Sequence, residues 1–280
     1  MVPLSDSSFP VSRDAWLQSE ATLRVRLRQE LVRRQLEHHL SDPPSTVLDL
    51  GAGQGDKTLE LADRGHQVVA AEPDGRMRAV LTERVASAPQ SVSERITVSS
   101  AGFGSLGDVA GRTFDAVLAL GVLMYLPSGT AALAEAAALV APGGTLAVAV
   151  RLDVSAVWRP ARRQDWTAAL AAFEQWDEAR ATGSDLRYTN EIGAPARADS
   201  FDRLVTAAAD AGLTLEEWYG IRIAYDLEER SIDAPPPSDP AEFAALVAVE
   251  ERLGAMDPYR SLGQLAHLVF RRRVVESSAN

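Results

Sequence analysis

Apolar residues along this chain gather into short runs near 46–50, 67–72, 95–99, 114–120 and 144–151, with turn-forming residues between them. Stretches whose apolar positions recur every three or four residues lie near 56–64, 75–86 and 130–140. Short apolar strands alternating with amphipathic helices predict a parallel sheet covered on both faces. Upstream, Ser12 to Leu40 reads as one long helix stopped by Pro43 and Pro44. Leu23, Leu27 and Leu31 fall on one face of it, with Arg24, Arg28 and Arg34 away from them. Asp153 to Asp199 breaks the alternation. It sets Trp158, Trp166 and Trp176 around a helical stretch and reads as an inserted cap, its tryptophans being either a pocket wall or plain core. Downstream, Asp199 or Ser200 caps a helix to Ala211–Gly212, and Leu215 to Leu227 forms a long strand. Pro240 then opens a helix to Gly254, and Gln264 to Arg272 is the last strand.

Composition changes this picture only at its margins. A chain of 280 residues can bury a large core as one domain with an insertion. No run is apolar enough to span a membrane and no signal-peptide core opens the chain, so a cytoplasmic protein without membrane contact is expected. Cysteine is absent, which excludes disulfides and thiol catalysis, and four scattered histidines point away from a metal site. His66 and His267 read as structural residues. The net charge of −11 argues against broad binding to nucleic acid.

The chemistry concentrates in Val47-Leu48-Asp49-Leu50-Gly51-Ala52-Gly53-Gln54-Gly55. A strand ends in an acid and three alternating glycines, a helix follows, and the next strand ends in Glu72. That is a nucleotide-binding βαβ unit: backbone approaches the ligand, and the second acid stands where a ribose diol would bind. The dinucleotide fingerprint wants a sixth-position glycine, but Asp56 stands there and would repel a pyrophosphate. The Walker loop wants glycine directly before Lys-Thr, but Asp56 again intervenes before Lys57 and Thr58. The remaining pattern suits S-adenosylmethionine (SAM), a cationic ligand without phosphate.

Together with Phe114-Asp115-Ala116-Val117, Gly121 to Leu126 and Ala141-Pro142-Gly143-Gly144-Thr145-Leu146, this stretch resembles class I SAM-dependent methyltransferases from Ser45 to Val150. The expected fold is α/β: a Rossmann-like, doubly wound, seven-stranded mixed sheet with an N-terminal helix and an inserted helical cap. Its parts are a helical lid at 1–44, a SAM-binding core at 45–151, the cap at 152–199, the C-terminal part of the core with a helical insertion at 200–273, and a tail at 274–280. The resemblance implies SAM as cofactor at Asp49, Gly51, Ala52, Gly53, Gly55, Glu72, Pro73, Gly102, Phe103 and Leu120. Asp49 is expected near the SAM ammonium and Glu72 on both ribose hydroxyls, while Phe103 either stacks on adenine or packs its loop.

Over nearly its full length the chain is similar to the bacterial tRNA 5-carboxymethoxyuridine carboxyl methyltransferases. The matching stretches are Ser12-Arg13 through Leu23-Arg24, Arg64 to Val68, Gly220-Ile221-Arg222-Ile223 with Asp226, and Asp257-Pro258-Tyr259 with Leu262-Gly263 and His267. This implies that Arg24 contacts SAM at its carboxylate and that the acceptor is itself a carboxylate. The chain departs from that family at Gly102-Phe103-Gly104, at Leu120, and at Glu20-Ala21, where a basic residue and glycine are expected. Lost polarity and positive charge near the mouth run against a polyanionic tRNA.

A carboxylate is ionised at neutral pH and needs no general base, only a cation that holds it in line. Arg222, inside the apolar run Gly220 to Ala224, is one candidate anchor, with solvent-facing strand residue as its alternative. Tyr259 could donate to the same acid or pack in the core, and Arg151 stands at the carboxyl edge of the fifth strand, where a surface charge is equally expected. The expected function is methyl transfer to a small acidic metabolite at a carboxylate. The alternatives are a tRNA wobble-uridine carboxyl methyltransferase and a SAM-binding protein that does not transfer methyl.

Overall fold

The computed structural model describes residues 22–190, 193–227 and 234–274. Five parallel strands lie in the order β3 (Ile96–Ser99), β2 (Gln67–Ala71), β1 (Thr46–Leu50), β4 (Phe114–Leu120) and β5 (Val140–Val150). Beyond β5 come β9 (Leu265–Arg272), antiparallel to both neighbours, and β8 (Leu213–Ile221) at the edge. β8 therefore runs with β1–β5 and ends at the same sheet edge. The strand order reverses between β1 and β4, and the crevice at such a switch point is where open α/β sheets bind ligands. The doubly wound, seven-stranded mixed sheet matches the expected fold.

Strand alternation sorts the core. Val47, Ala116, Leu118, Ala147 and Leu265 face one side, under α1 (Leu23–Glu37), α2 (Asp56–Asp63) and α8 (Pro240–Gly254). Leu48, Val117, Ala119, Val148 and Leu268 face the other, under α4 (Gly129–Ala137) and α7 (Phe201–Asp210). Asp74 caps α3 (Gly75–Ser87) by accepting from the Arg76 and Met77 N–H groups.

The described part of the first helix both lines the cavity and packs on the sheet. Leu27, Leu31 and Leu36 are fully buried in the same cluster as the sheet residues Val47 and Leu118. Its upstream extension, with Arg13 and Glu20-Ala21, lies outside the described residues. Leu31→Ala should lower stability by about 2–5 kcal/mol in urea unfolding, the cost of a core truncation. A loss well under 1 kcal/mol would show that the helix closes over the cavity without contributing to the core.

The expected helical cap is helical only in part. α5 (Asp153–Arg162) and α6 (Trp166–Thr182) are followed by an antiparallel hairpin, β6 (Leu186–Thr189) with β7 (Pro195–Ala198). Trp176 packs with Val157, Leu186 and Tyr188, whereas Trp166 is 67% exposed, so it belongs to neither core nor pocket wall. The long strand expected to reach Leu227 stops at Ile221, because Arg222 takes a left-handed φ of 60° that no strand accommodates.

Candidate active site

A cavity of about 570 Å³ opens over the carboxyl ends of β1, β4 and β5, on the face covered by α1. This is within the usual range for a small-molecule site. At one end it is walled by the β1–α2 turn (Asp49, Gly51 to Gln54), by Glu72 to Gly75 after β2, and by Gly102, Phe103 and Ser105. At the other end stand Leu120 to Val122, Tyr125, Leu126, Ala149 and Leu265, with Arg28, Gln29 and Val32 of α1 alongside.

The turn must be built from glycine for two separate reasons. Gly51 has φ 75°, and a Cβ there would lie 2.8 Å from Val122 Cγ2, closing the gap between the turn and the β4 loop. Gly55, at φ 87°, serves packing: a Cβ would strike Leu81 of α3, and Gly55 does not line the cavity. Gly55 thus belongs to the helix–helix contact rather than to the ligand wall.

Two buried carboxyls face the first end. Asp49 Oδ2 accepts from Thr58 Oγ1 at 2.7 Å, and burial raises its pKa to about 6. Glu72 accepts from the Gly53 N–H through Oε2 and from the Asp74 N–H through Oε1, both at 2.8 Å. Burial outweighs those bonds and raises its pKa to about 7. Each Glu72 oxygen keeps a lone pair for a further donor, so the pair of oxygens could hold a vicinal diol. Gln54 Nε2, also in the cavity wall, is buried without a hydrogen-bond partner among the described residues. Phe103 lines the cavity and packs into the core beneath it.

Arginines gather near the carboxyl edge of the sheet, and of these Arg28 alone is in the cavity wall. Arg28 lines the cavity; burial first, and then the charge of Arg222, lower its pKa to about 10. Arg222 is buried at the carboxyl edge after β8, with Nε 3.0 Å from Asp226 Oδ2. Its turn is braced by Glu250, fully buried, whose carboxylate accepts from the Ile223 and Tyr225 N–H groups at 2.7 and 2.6 Å. Arg162 of α5 donates to the Asp226 carbonyl and, at 3.0 Å, to Gln264. Arg151 is 2% exposed, over the Tyr188 ring at 5.1 Å, so it is not a surface charge.

Of the residues expected at the cofactor, Asp49, Gly51, Ala52, Gly53, Glu72, Pro73, Gly102, Phe103 and Leu120 come together in this wall; Gly55 and Arg24 do not. Arg24 is buried rather than facing away from the apolar side of its helix, and one turn on, Arg28 reaches the cavity. None of the three acceptor candidates is in the cavity wall: Arg222 and Arg151 are buried outside it, Arg222 not as a solvent-facing strand residue, and Tyr259 is 45% exposed. His66 bonds Ser45 at 2.6 Å and His267 bonds Gln35 at 2.8 Å, both inside the fold. Sequence reading missed Arg28 and Tyr125. A signal existed for the first: Arg28 and Val32 are four apart on one helix face, and both line the cavity.

Residues 48–148 match the family described as methyltransferase domain. This stretch is a class I SAM-dependent methyltransferase domain. Its cofactor is SAM, and the glycine turn and the two buried carboxyls, in a cavity of this size, fit a cationic nucleoside without phosphate. A 48-residue segment is 42% identical to a dimethyladenosine transferase of Yarrowia lipolytica, a match covering 17% of this chain and 15% of that protein. Two solved structures share the fold over nearly the whole chain. The protein bound to the Trm112 methyltransferase activator of Haloferax volcanii is 17% identical, with 97% and 98% of the two chains covered and a TM-score of 0.56. The CcbJ methyltransferase of Streptomyces caelestis is also 17% identical, with the same coverage and a TM-score of 0.54. Among the described residues, no helix of the methyltransferase domain or its flanks is long and apolar enough to cross a membrane.

Proposed function

We propose that the chain transfers the SAM methyl group to a carboxylate oxygen of a small acidic metabolite. The observation that carries this reading is Arg222: a buried arginine on a left-handed turn, braced by Glu250, at the same sheet edge as the cavity. A buried cation in a constrained turn suits an anionic acceptor. When bound, SAM supplies an electrophilic methyl on a sulfonium. The protein's part is to hold the acceptor oxygen in line and keep water out. Asp49 would lie near the cofactor ammonium and Glu72 on the ribose. Of the two helix arginines, Arg28 rather than Arg24 would meet the cofactor carboxylate, since Arg24 does not line the cavity and Arg28 does.

A tRNA carboxylate would satisfy the same arginine chemistry, but the narrower tRNA 5-carboxymethoxyuridine resemblance finds no support in the comparisons. The net charge of −11 also opposes a polyanionic partner. Incubation with tritiated SAM and separate pools of small carboxylic acids, amines, phenols and bulk tRNA should yield base-labile methyl esters in the acid pool, with S-adenosylhomocysteine (SAH) formed in equal amount. Label confined to tRNA would select the wobble-uridine reading. Label confined to amines or phenols would remove the carboxylate, and SAM consumed without SAH would mean that methyl is not transferred.

A further inference from the structure

The hairpin of the inserted segment grips the loop after β4. Arg197 of β7 is 1% exposed, and its guanidinium is divided among three acceptors. Nε donates to the Leu126 carbonyl at 3.1 Å, Nη2 to the Leu123 carbonyl at 2.6 Å, and Nη1 pairs with the buried Asp199. Between those carbonyls, the Tyr125 hydroxyl accepts from Asn190 Nδ2 at 3.2 Å. Asn190 is itself fixed, its Oδ1 accepting from the Ala194 N–H at 2.8 Å. Three points of one four-residue segment are thus tied to the insertion. The opposite side of that segment lines the cavity through Tyr125 and Leu126, beyond Val122, which itself packs against Gly51 of the glycine turn.

We propose that the insertion governs acceptor binding through this loop, with Tyr125 contacting the acceptor and Arg197 and Asn190 acting as its positioning residues. This rests on the reading of the cavity's second end as the acceptor side. The geometry gives the division of labour. Arg197 and Asn190 bond the loop after β4 at Leu123, Tyr125 and Leu126, while the cofactor end is built from the β1, β2 and β3 turns, which these three bonds do not reach. A guanidinium holding two carbonyls three residues apart fixes both the position and the pitch of the loop, a constraint that lysine's single ammonium cannot reproduce.

The test uses the full chain and the variants Asn190→Ala, Tyr125→Phe and Arg197→Lys. Three measurements apply: SAH affinity by calorimetry, hydrogen exchange of the SAH complex, and methyl transfer from tritiated SAM to a panel of small carboxylic acids, amines and phenols. Asn190→Ala and Arg197→Lys should speed exchange at amides 123–126 about 10-fold while leaving SAH affinity within about 2-fold. For whichever panel member is methylated, all three variants should raise its KM about 10-fold or more and change kcat less than about 3-fold. Unchanged exchange, an unchanged KM in Tyr125→Phe, or SAH affinity falling in step with KM would overturn the proposal. If Arg197→Lys does not fold, Asn190→Ala carries the same comparison. The exchange measurement needs no acceptor, and turnover of amines alone would remove the carboxylate reading while the KM comparison still decides this one.

Discussion

Glu72→Ala is expected to weaken SAM binding about 10-fold or more. With Glu72 on the ribose diol as proposed, two hydrogen bonds would be lost, each contributing about 1 kcal/mol or more because one partner is charged, and about 1.4 kcal/mol is tenfold in affinity. The fold would also lose the acceptor for the Gly53 and Asp74 N–H groups, so a lower melting temperature should accompany the change. pH provides the control. In the free protein the Glu72 carboxyl titrates near 7 and Asp49 near 6, both raised by burial. Both bind protons more tightly folded than unfolded, so their contribution to stability is present at low pH and is lost as pH rises through 6 and 7. Cofactor binding runs the other way, since the ionised acids accept more strongly. Wild-type affinity should therefore fall between pH 8 and pH 6, and Glu72→Gln should flatten the upper part of that fall. Calorimetry with SAM at both pH values measures this; full affinity in a folded Glu72→Ala protein would take Glu72 out of the site.

Arg222 carries the second large effect, on turnover rather than on cofactor affinity. Arg222→Lys keeps the charge but loses the planar fork, and methyl transfer to an acidic acceptor should drop about 10-fold or more. Arg222→Leu should fall further, because the acceptor acid would then be desolvated without a partner. SAM affinity should stay near normal in both. Glu250 braces the same turn from outside the cavity wall. Turnover by both Arg222 variants equal to wild type, on the acceptor found, would show that the arginine serves only its pair with Asp226.

The order of strands and helices was legible because each apolar run has a face to bury, and the glycine turn was legible because few residue types can build it. What the sequence hid depends on partners far along the chain. Ile221, Arg222 and Ile223 read as a continuing strand, yet the N–H groups beyond Ile221 go to the Glu250 carboxylate, 27 residues on, and the chain turns. Arg24 and Arg28 looked alike on a helical wheel. Only the cavity beside Val32 separates the one that reaches it from the one that does not. Tyr125 sat unmarked in Leu123-Met124-Tyr125-Leu126, because its setting is supplied by a hairpin that the apolar pattern had merged into a helical cap.

The buried pair of Arg197 and Asp199 reaches beyond the loop it holds. A Cβ on Gly129, at the start of α4, would collide with both side chains. The Asp199 carbonyl accepts from the Asp153 N–H, and its own N–H donates to the Arg151 carbonyl at 2.8 Å. The insertion is therefore keyed to the central domain at a residue with no side chain at all. A transplant of the insertion would need either a glycine at the Gly129 position or a shift of the Arg197 and Asp199 side-chain ends that now fill the space beside it.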